Sequence, residues 1–340
     1  MRPLASRRLG RTDLRLTELG FGGAPLGNLF SPVLEAAARR AVSAALEAGV
    51  GYFDTAPLYG HGLSERRLGE ALRAAPREAF VLSTKVGRRL EPGDPRTVEG
   101  GAYVDLPPFR PVFDYSYDGV LRSVAMSLAR LGLERIDILF IHDIDVFTHG
   151  AALQPERYRE ALAGAYPALD RLRREGTVRA IGVGVNEWQV CLRCAEDADF
   201  DCFLLAGRYS LLDQRALDTF LPLCAKRGIG VVIGGPFNSG ILATGAVPGA
   251  TYDYRPAPAE IRVRTRALER VCRAHGTPLG AAALQFPLFH PAVASVIAGM
   301  RSADEVERNL ALLHHPIPGG LWRDLKAEGL VHPGAPTPAG

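Results

Sequence analysis

Ser116-Tyr-Asp-Gly-Val-Leu-Arg-Ser-Val-Ala-Met-Ser-Leu-Ala-Arg-Leu131-Gly132-Leu-Glu-Arg-Ile136-Asp-Ile-Leu-Phe-Ile141 is the stretch that decides the fold. Its first half is amphipathic and opens on Ser116, whose hydroxyl can accept from the free N–H groups of a helix's first turn. Gly132 supplies the left-handed stop. Residues 136–141 are then a short apolar run, rich in the side chains that fill a strand covered on both faces. The segment reads as helix over 116–131, turn, and strand over 136–141.

The same alternation extends almost from end to end. Strands are expected at 19–22, 51–54, 80–85, 136–141, 178–183, 202–205, 230–233 and 294–297. Helices are expected at 32–48, 64–74, 116–131, 156–175, 187–196, 213–227, 258–275 and 302–312, with Gly49, Gly132, Gly176, Gly228 and Gly276 at their ends. Eight strands, each followed by a helix, favour an α/β fold of the (β/α)8 TIM-barrel type over an open doubly wound sheet. A β-hairpin over about 6–17, turning at residues 10–13, is placed to plug the barrel's bottom. Extra C-terminal helices are expected at 277–289 and 320–328. The connections 87–114, 142–154 and 236–257 are too long for turns. They follow the third, fourth and seventh strands at the face where barrel enzymes keep their sites, so they read as lids or substrate walls. For 87–114 a flap without ligand contact is the alternative. The whole chain, 1–340, reads as one domain.

Composition narrows the function. The net charge of +3 arises from nearly balanced acids and bases without a like-charge block, which leaves no footprint for nucleic acid. No apolar run approaches the roughly 18 residues of a membrane span, and the N-terminus lacks a hydrophobic signal core, so a cytoplasmic protein without membrane partners is expected. Five cysteines suit reduced thiols better than a disulfide framework. Cys191 and Cys194 have the C-x-x-C spacing but no second pair and no nearby histidine, and His314-His315 lie beside a proline past the last barrel helix, so no metal is expected.

Four residues stand just past predicted strands: Asp54, Tyr59, Lys85 and His142. Of the 40 lysines and arginines only Lys85, Lys226 and Lys326 are lysine, so arginine is used wherever a generic cation serves. An ammonium is a compact point charge able to polarise one neighbouring oxygen, which suits a tyrosine acid. A phenol titrates near 10, and Lys85 is expected to draw Tyr59 down toward neutrality while Asp54 holds the ammonium. His142 is expected to hydrogen-bond the substrate oxygen. Each residue alone reads equally as structural, and Asp54 with Lys85 as an ordinary ion pair; all four in barrel order argue for a proton-transfer set.

In these motifs the chain resembles the aldo-keto reductases. Asp54-Thr-Ala-Pro-Leu-Tyr59-Gly matches that family's D-T-A-x-x-Y-G segment, and Ser83-Thr-Lys85 and Leu139-Phe-Ile-His142 match its lysine and histidine strands. The resemblance runs from about residue 9 to 312 and implies an NAD(P)-dependent oxidoreductase with Tyr59 as acid/base. Gly182-Val-Gly-Val-Asn-Glu-Trp188 and Leu205-Ala-Gly-Arg-Tyr209 are most like the branch of D-threo-aldose 1-dehydrogenases, L-galactose and L-fucose dehydrogenases and pyridoxal 4-dehydrogenase.

No G-x-G-x-x-G run opens a βαβ unit, which disfavours a Rossmann domain. The resemblance instead implies a dinucleotide across the barrel's C-terminal face. It assigns the carboxamide to Asn186, ring stacking to Tyr209, the pyrophosphate to Pro236, Asn238, Ser239 and Gly240, and the adenosine end to Gly299, Arg301, Glu305 and Asn309. Gly22 and Gly23 join this set. The family's serine before the asparagine is Val185 here, and its glutamine before the tyrosine is Ala206. Near the adenosine ribose a carboxylate repels a 2′-phosphate, so Glu305 favours NAD while Arg301 leaves NADP open. The implied substrate is a small carbonyl or sugar, foremost an aldose oxidised at C1 to a lactone. The alternatives are pyridoxal, a general aldehyde or ketone reductase, or a nicotinamide-binding regulatory subunit. The oligomeric state has no signature in the sequence.

Overall fold

A computed structural model describes residues 4–94 and 100–338; residues 95–99 of the expected 87–114 connection lie outside the described residues. Eight parallel strands close into a barrel: β1 (Leu19–Gly22), β2 (Tyr52–Asp54), β3 (Val81–Val86), β4 (Ile138–His142), β5 (Ala180–Val185), β6 (Cys202–Ala206), β7 (Gly230–Gly234) and β8 (Val293–Gly299). Each pairs with the next, and β8 pairs with β1, so the sheet has no edge. Helices pack around the outside, and the large apolar core lies between them and the outward faces of the strands.

The decisive stretch folds as read. The Ser116 hydroxyl accepts from the Gly119 N–H at 3.1 Å, the helix runs over Tyr117–Leu131, and Gly132 ends it at φ 61°. Ser6–Arg8 and Arg15–Thr17 form the N-terminal hairpin. Its Leu9, Leu14 and Leu16 are fully buried against Tyr52, Ile138, Phe140, Ala180 and Val232, which face the barrel interior. The floor is thereby sealed with apolar side chains. The extra helices are Leu279–Gln285, continued by a 3-10 turn over Phe286–Phe289, and Gly319–Ala327. All five cysteines are buried free thiols. No helix among the described residues is long and apolar enough to cross a membrane.

Two local expectations are corrected, and two of the long connections acquire structure of their own. The connection 142–154 is mostly helical: Val146–Glu160 is assigned as helix, interrupted at Gly150 (φ 71°, ψ 160°), and continues through a π turn over Ala161–Ala165 into Tyr166–Arg174. Pro155 lies five residues past the Gly150 break, and its backbone stays helical. The helix expected from 213 begins at Phe220, because the Asp213 carboxylate turns back onto the Arg215 N–H and guanidinium instead of capping a continuous helix. In 87–114, Arg88–Pro92 pairs antiparallel with Phe109–Phe113. In 236–257, a 3-10 turn (Asn238–Gly240) and a short helix (Ile241–Thr244) precede a tight hairpin pairing Thr251–Tyr252 with Arg255–Pro256.

Candidate active site

Side chains alternate in and out along a strand, so Tyr52 and Asp54 on β2, Ser83 and Lys85 on β3, and Phe140 and His142 on β4 all face the barrel interior. The last of each pair reaches the C-terminal rim. Asp54 and Lys85 are 1% exposed and His142 is 6% exposed. The Lys85 ammonium donates to Asp54 Oδ2 at 2.7 Å and to the Thr55 carbonyl at 2.9 Å. Asp54 Oδ1 accepts from the Ser83 hydroxyl at 2.7 Å, and Ser83 Oγ is 3.0 Å from the Tyr52 hydroxyl. Room for the lysine stem comes from Gly184 on β5, where a Cβ would stand 3.4 Å from Lys85 Cε. Tyr59 leans over this pair, with the ammonium 4.6 Å from its ring centroid and the His142 ring 6.0 Å away, edge to face. The four expected residues therefore meet at one place.

Their electrostatics differ from expectation in one respect. Burial, followed by the Asp54 charge and the neighbouring phenols of Tyr103 and Tyr254, holds the Tyr59 phenol well above its usual value of 10. Lys85 does not draw it down: the ammonium is engaged with Asp54 and Thr55 and faces the ring, not the oxygen. Burial, then Lys85 and Arg88, push the His142 imidazole well below 6.5, so it is neutral at neutral pH. Its Nδ1 is buried and makes no hydrogen bond among the described residues. Burial raises Asp54 despite the lowering by Lys85.

Several rim residues escaped the sequence reading. Asp143, next to His142, presents Oδ2 to the Arg88 guanidinium at 2.6 Å and to His142 Nε2 at 3.4 Å. The Tyr103 ring stacks on Tyr59 at 6.4 Å; its segment is pinned by the Phe30 N–H to the Ala102 carbonyl at 2.7 Å and the Val104 N–H to the Asn28 carbonyl at 3.1 Å. Arg208 grips Asp253 through two bonds of 2.9 Å each, fixing the Thr251–Pro256 hairpin whose Tyr254 ring lies 6.3 Å from Phe30. An adjacent carboxylate at 143 and a cation three residues past Lys85 were the readable signals. The tyrosines arrive through hairpins that no local pattern announces.

The residues expected to hold a dinucleotide are placed unevenly. Asn186 is half-buried after β5, its backbone N–H on the Asp145 carboxylate at 2.7 Å and its side-chain amide without a hydrogen bond among the described residues. Pro236 is buried; Asn238, Ser239 and Gly240 all have positive φ (46°, 61°, 109°), making a tight concave turn after β7. The Asn238 amide donates to the Gly207 carbonyl at 3.0 Å, while its carbonyl oxygen is buried and unpartnered, as in a site awaiting a polar ligand. Gly299 is exposed at the end of β8, and Arg301 and Glu305 are paired at 3.2 Å at the head of the Ala303–His314 helix. Asn309, 5% exposed, lies further along that helix. One placement corrects the expectation. Tyr209 is fully buried, 5.1 Å from the Phe286 ring and 5.9 Å from His290, so neither face is open for stacking. Gly22 and Gly23 are also buried; a Cβ at Gly23 would stand 2.7 Å from the Asp54 carbonyl, so this glycine lets β1 close against the β2 terminus.

This geometry agrees with the comparisons with known proteins. The model of the aldo/keto reductase family matches residues 18–327. The chain is 46% identical to pyridoxal 4-dehydrogenase of Microbacterium luteolum, over 96% of this chain and 97% of that one. It is 40% identical to D-threo-aldose 1-dehydrogenase of a Pseudomonas species, over 96% of each. Among solved structures, an aldo-keto reductase from Bacillus halodurans in its holo form superimposes with a TM-score of 0.75, at 28% identity and 96% coverage of both chains. The chain belongs to the aldo/keto reductase family and is an NAD(P)-dependent oxidoreductase.

Proposed function

We propose that the chain oxidises the cyclic hemiacetal carbon of a small hydroxylated aldehyde to a lactone, with Tyr59 exchanging the proton at the reacting oxygen. The observation that carries this reading is the meeting of Lys85, Asp54, Tyr59 and His142 at the barrel mouth, with the ammonium 2.7 Å from Asp54 and 4.6 Å from the Tyr59 ring. In the reaction the substrate carbon loses a hydride, its hydroxyl loses a proton, and the C–O bond becomes a carbonyl. A nicotinamide held by these residues would supply the hydride acceptor, or the donor in the reverse direction. Tyr59 keeps its proton at neutral pH and stands ready as the acid for reduction; for oxidation it must first ionise. Neutral His142 holds the same oxygen. Asn186 suits the carboxamide, the Pro236–Gly240 turn the pyrophosphate, and Gly299 to Asn309 the adenosine end. The Glu305 carboxylate favours NAD, since a 2′-phosphate beside it would be repelled.

An aldose of the L-fucose, L-galactose or D-threo type is the first substrate class. Pyridoxal is the second, favoured by the aromatic rings of Tyr59 and Tyr103 at the rim, against which a flat ring can pack, and by the 46% identity to an enzyme of that name. Both carry a hydroxyl able to close a hemiacetal on the aldehyde. We further propose a cytoplasmic protein of a single domain. Tyr59→Phe tests the reading by nicotinamide absorbance. Turnover should fall by roughly 10²- to 10⁴-fold while quenching of protein fluorescence by NAD(H) persists. A variant with undiminished turnover refutes it.

A further inference from the structure

We infer that Asp143 is a specificity-determining residue whose free carboxylate oxygen accepts a hydrogen bond from a second substrate hydroxyl, on the first or second atom from the reacting carbon. The inference rests on the reading of Tyr59 and His142 above.

The first observation is the backbone. Asp143 has φ 54°, a left-handed conformation that Asp and Asn accept more readily than other residues with a Cβ. It is held there by its N–H on the Gly184 carbonyl at 3.0 Å and by the Tyr115 hydroxyl, which bridges the carbonyls of His142 and Asp143 at 2.8 Å from each. Contacts that fix this uncommon backbone also fix where its side chain points. Here the side chain aimed is a carboxylate, immediately beside the imidazole that faces Tyr59.

The second observation is how that carboxylate is occupied. Oδ2 takes the Arg88 guanidinium at 2.6 Å and lies 3.4 Å from His142 Nε2. Oδ1 receives no hydrogen bond from the described residues, although Asp143 is only 6% exposed. Arg88 is itself immobilised, its guanidinium 4.5 Å from the Phe113 ring centroid and its Nε buried without a partner. The pair is thus fixed and largely dehydrated, with one acceptor open. The charge of Asp143 acts on the phenols of Tyr59, Tyr103 and Tyr254, which puts it among the groups surrounding the reacting atoms. A hydroxyl near the reacting carbon satisfies the acceptor in place of water; a substrate lacking it covers the carboxylate oxygen without pairing it, the arrangement that discriminates most strongly. An aldose carries such a hydroxyl on the adjacent carbon, C2, and pyridoxal carries a phenolic one a single atom further on, at C3 of its ring.

The test crosses enzyme and substrate changes. Asp143→Asn and Asp143→Gly remove the charge while tolerating the left-handed backbone. Each is assayed with the parent chain on D-arabinose against 2-deoxy-D-ribose, which differ only in the C2 hydroxyl, and on pyridoxal against 3-deoxypyridoxal. The preference in kcat/KM for the hydroxylated member should be roughly 10- to 100-fold in the parent and collapse toward unity in both variants, as expected for loss of one charge-assisted hydrogen bond. If both members of a pair slow in parallel and the preference survives, Asp143 merely orients His142 and the inference is overturned. A parent chain inactive on all four overturns the underlying functional reading instead.

Discussion

Replacing Lys85 by methionine separates the energetics of the buried pair from its chemistry. Asp54 would retain the Ser83 hydroxyl as its remaining side-chain donor, the Thr55 carbonyl would lose its ammonium partner, and both would stay buried. Removing one partner of such a pair costs about 3–5 kcal/mol, because an uncompensated charge is left in the interior. With an unfolding entropy of about 2.1 cal/mol/K per residue, the 340-residue chain has roughly 0.7 kcal/mol/K, so the melting temperature should fall by about 4–7 °C. Asp54 has an escape: burial already raises it, and without Lys85 it takes up a proton more readily. A group whose folded pKa is raised lends stability at low pH and loses it as pH rises through the folded value, so the deficit should shrink on acidification. The double variant Asp54→Asn, Lys85→Met should recover part of the loss at neutral pH yet remain without turnover. Differential scanning calorimetry between about pH 5 and pH 7.5, on each variant and the parent, measures this. A neutral-pH shift below about 1 °C, or a double variant no more stable than Lys85→Met, would refute the reasoning.

Three further outcomes are expected. The oxidation rate should climb by about tenfold per pH unit while the reduction rate stays level across the neutral range, because phenolate is required in one direction and phenol in the other and burial holds Tyr59 well above its usual value; an oxidation profile that is flat for a chemistry-limited step would exclude Tyr59 as the titrating group. Glu305→Gln should raise the NADP-to-NAD ratio of kcat/KM by on the order of 10-fold, since it removes the carboxylate and frees Arg301 for a phosphate; an unchanged ratio removes Glu305 from cofactor choice. His290, pushed down by burial to about 4, accepts the Ala292 N–H on Nδ1 and must stay neutral to do so. Its folded pKa is depressed, so the stability it contributes is full above about 6.5 and falls away toward pH 4, by up to about 3 kcal/mol; His290→Asn should flatten the acid limb of the unfolding curve.

The barrel was legible because each of its strands is a compact apolar run, and a strand covered on both faces has few other compositions open to it. The reactive quartet was legible for a related reason: a strand end fixes where its last side chain goes, so order along the chain becomes neighbourhood in space. What escaped depends on cancellation or on distant pairing. Gly150 and Pro155 each signal a break, yet only Gly150 leaves the helical backbone, and the helical segment begins near residue 146. Pro92 and Pro111 hid the hairpin of the 87–114 connection, since a proline in a strand usually argues against it; here both sit on a two-stranded edge. Tyr209 matched a motif but sits under Phe286, and whether a ring faces a cleft or a helix is a matter of tertiary packing. The phenol's acidity was misjudged because the sign depends on dehydration, which the residue types alone do not carry.

The leucines of the N-terminal hairpin decide the direction of approach. With Leu9, Leu14 and Leu16 packed across the floor, the hairpin end offers no route to the Lys85 ammonium, and reactants meet it from the opposite rim, where Tyr59 and His142 stand.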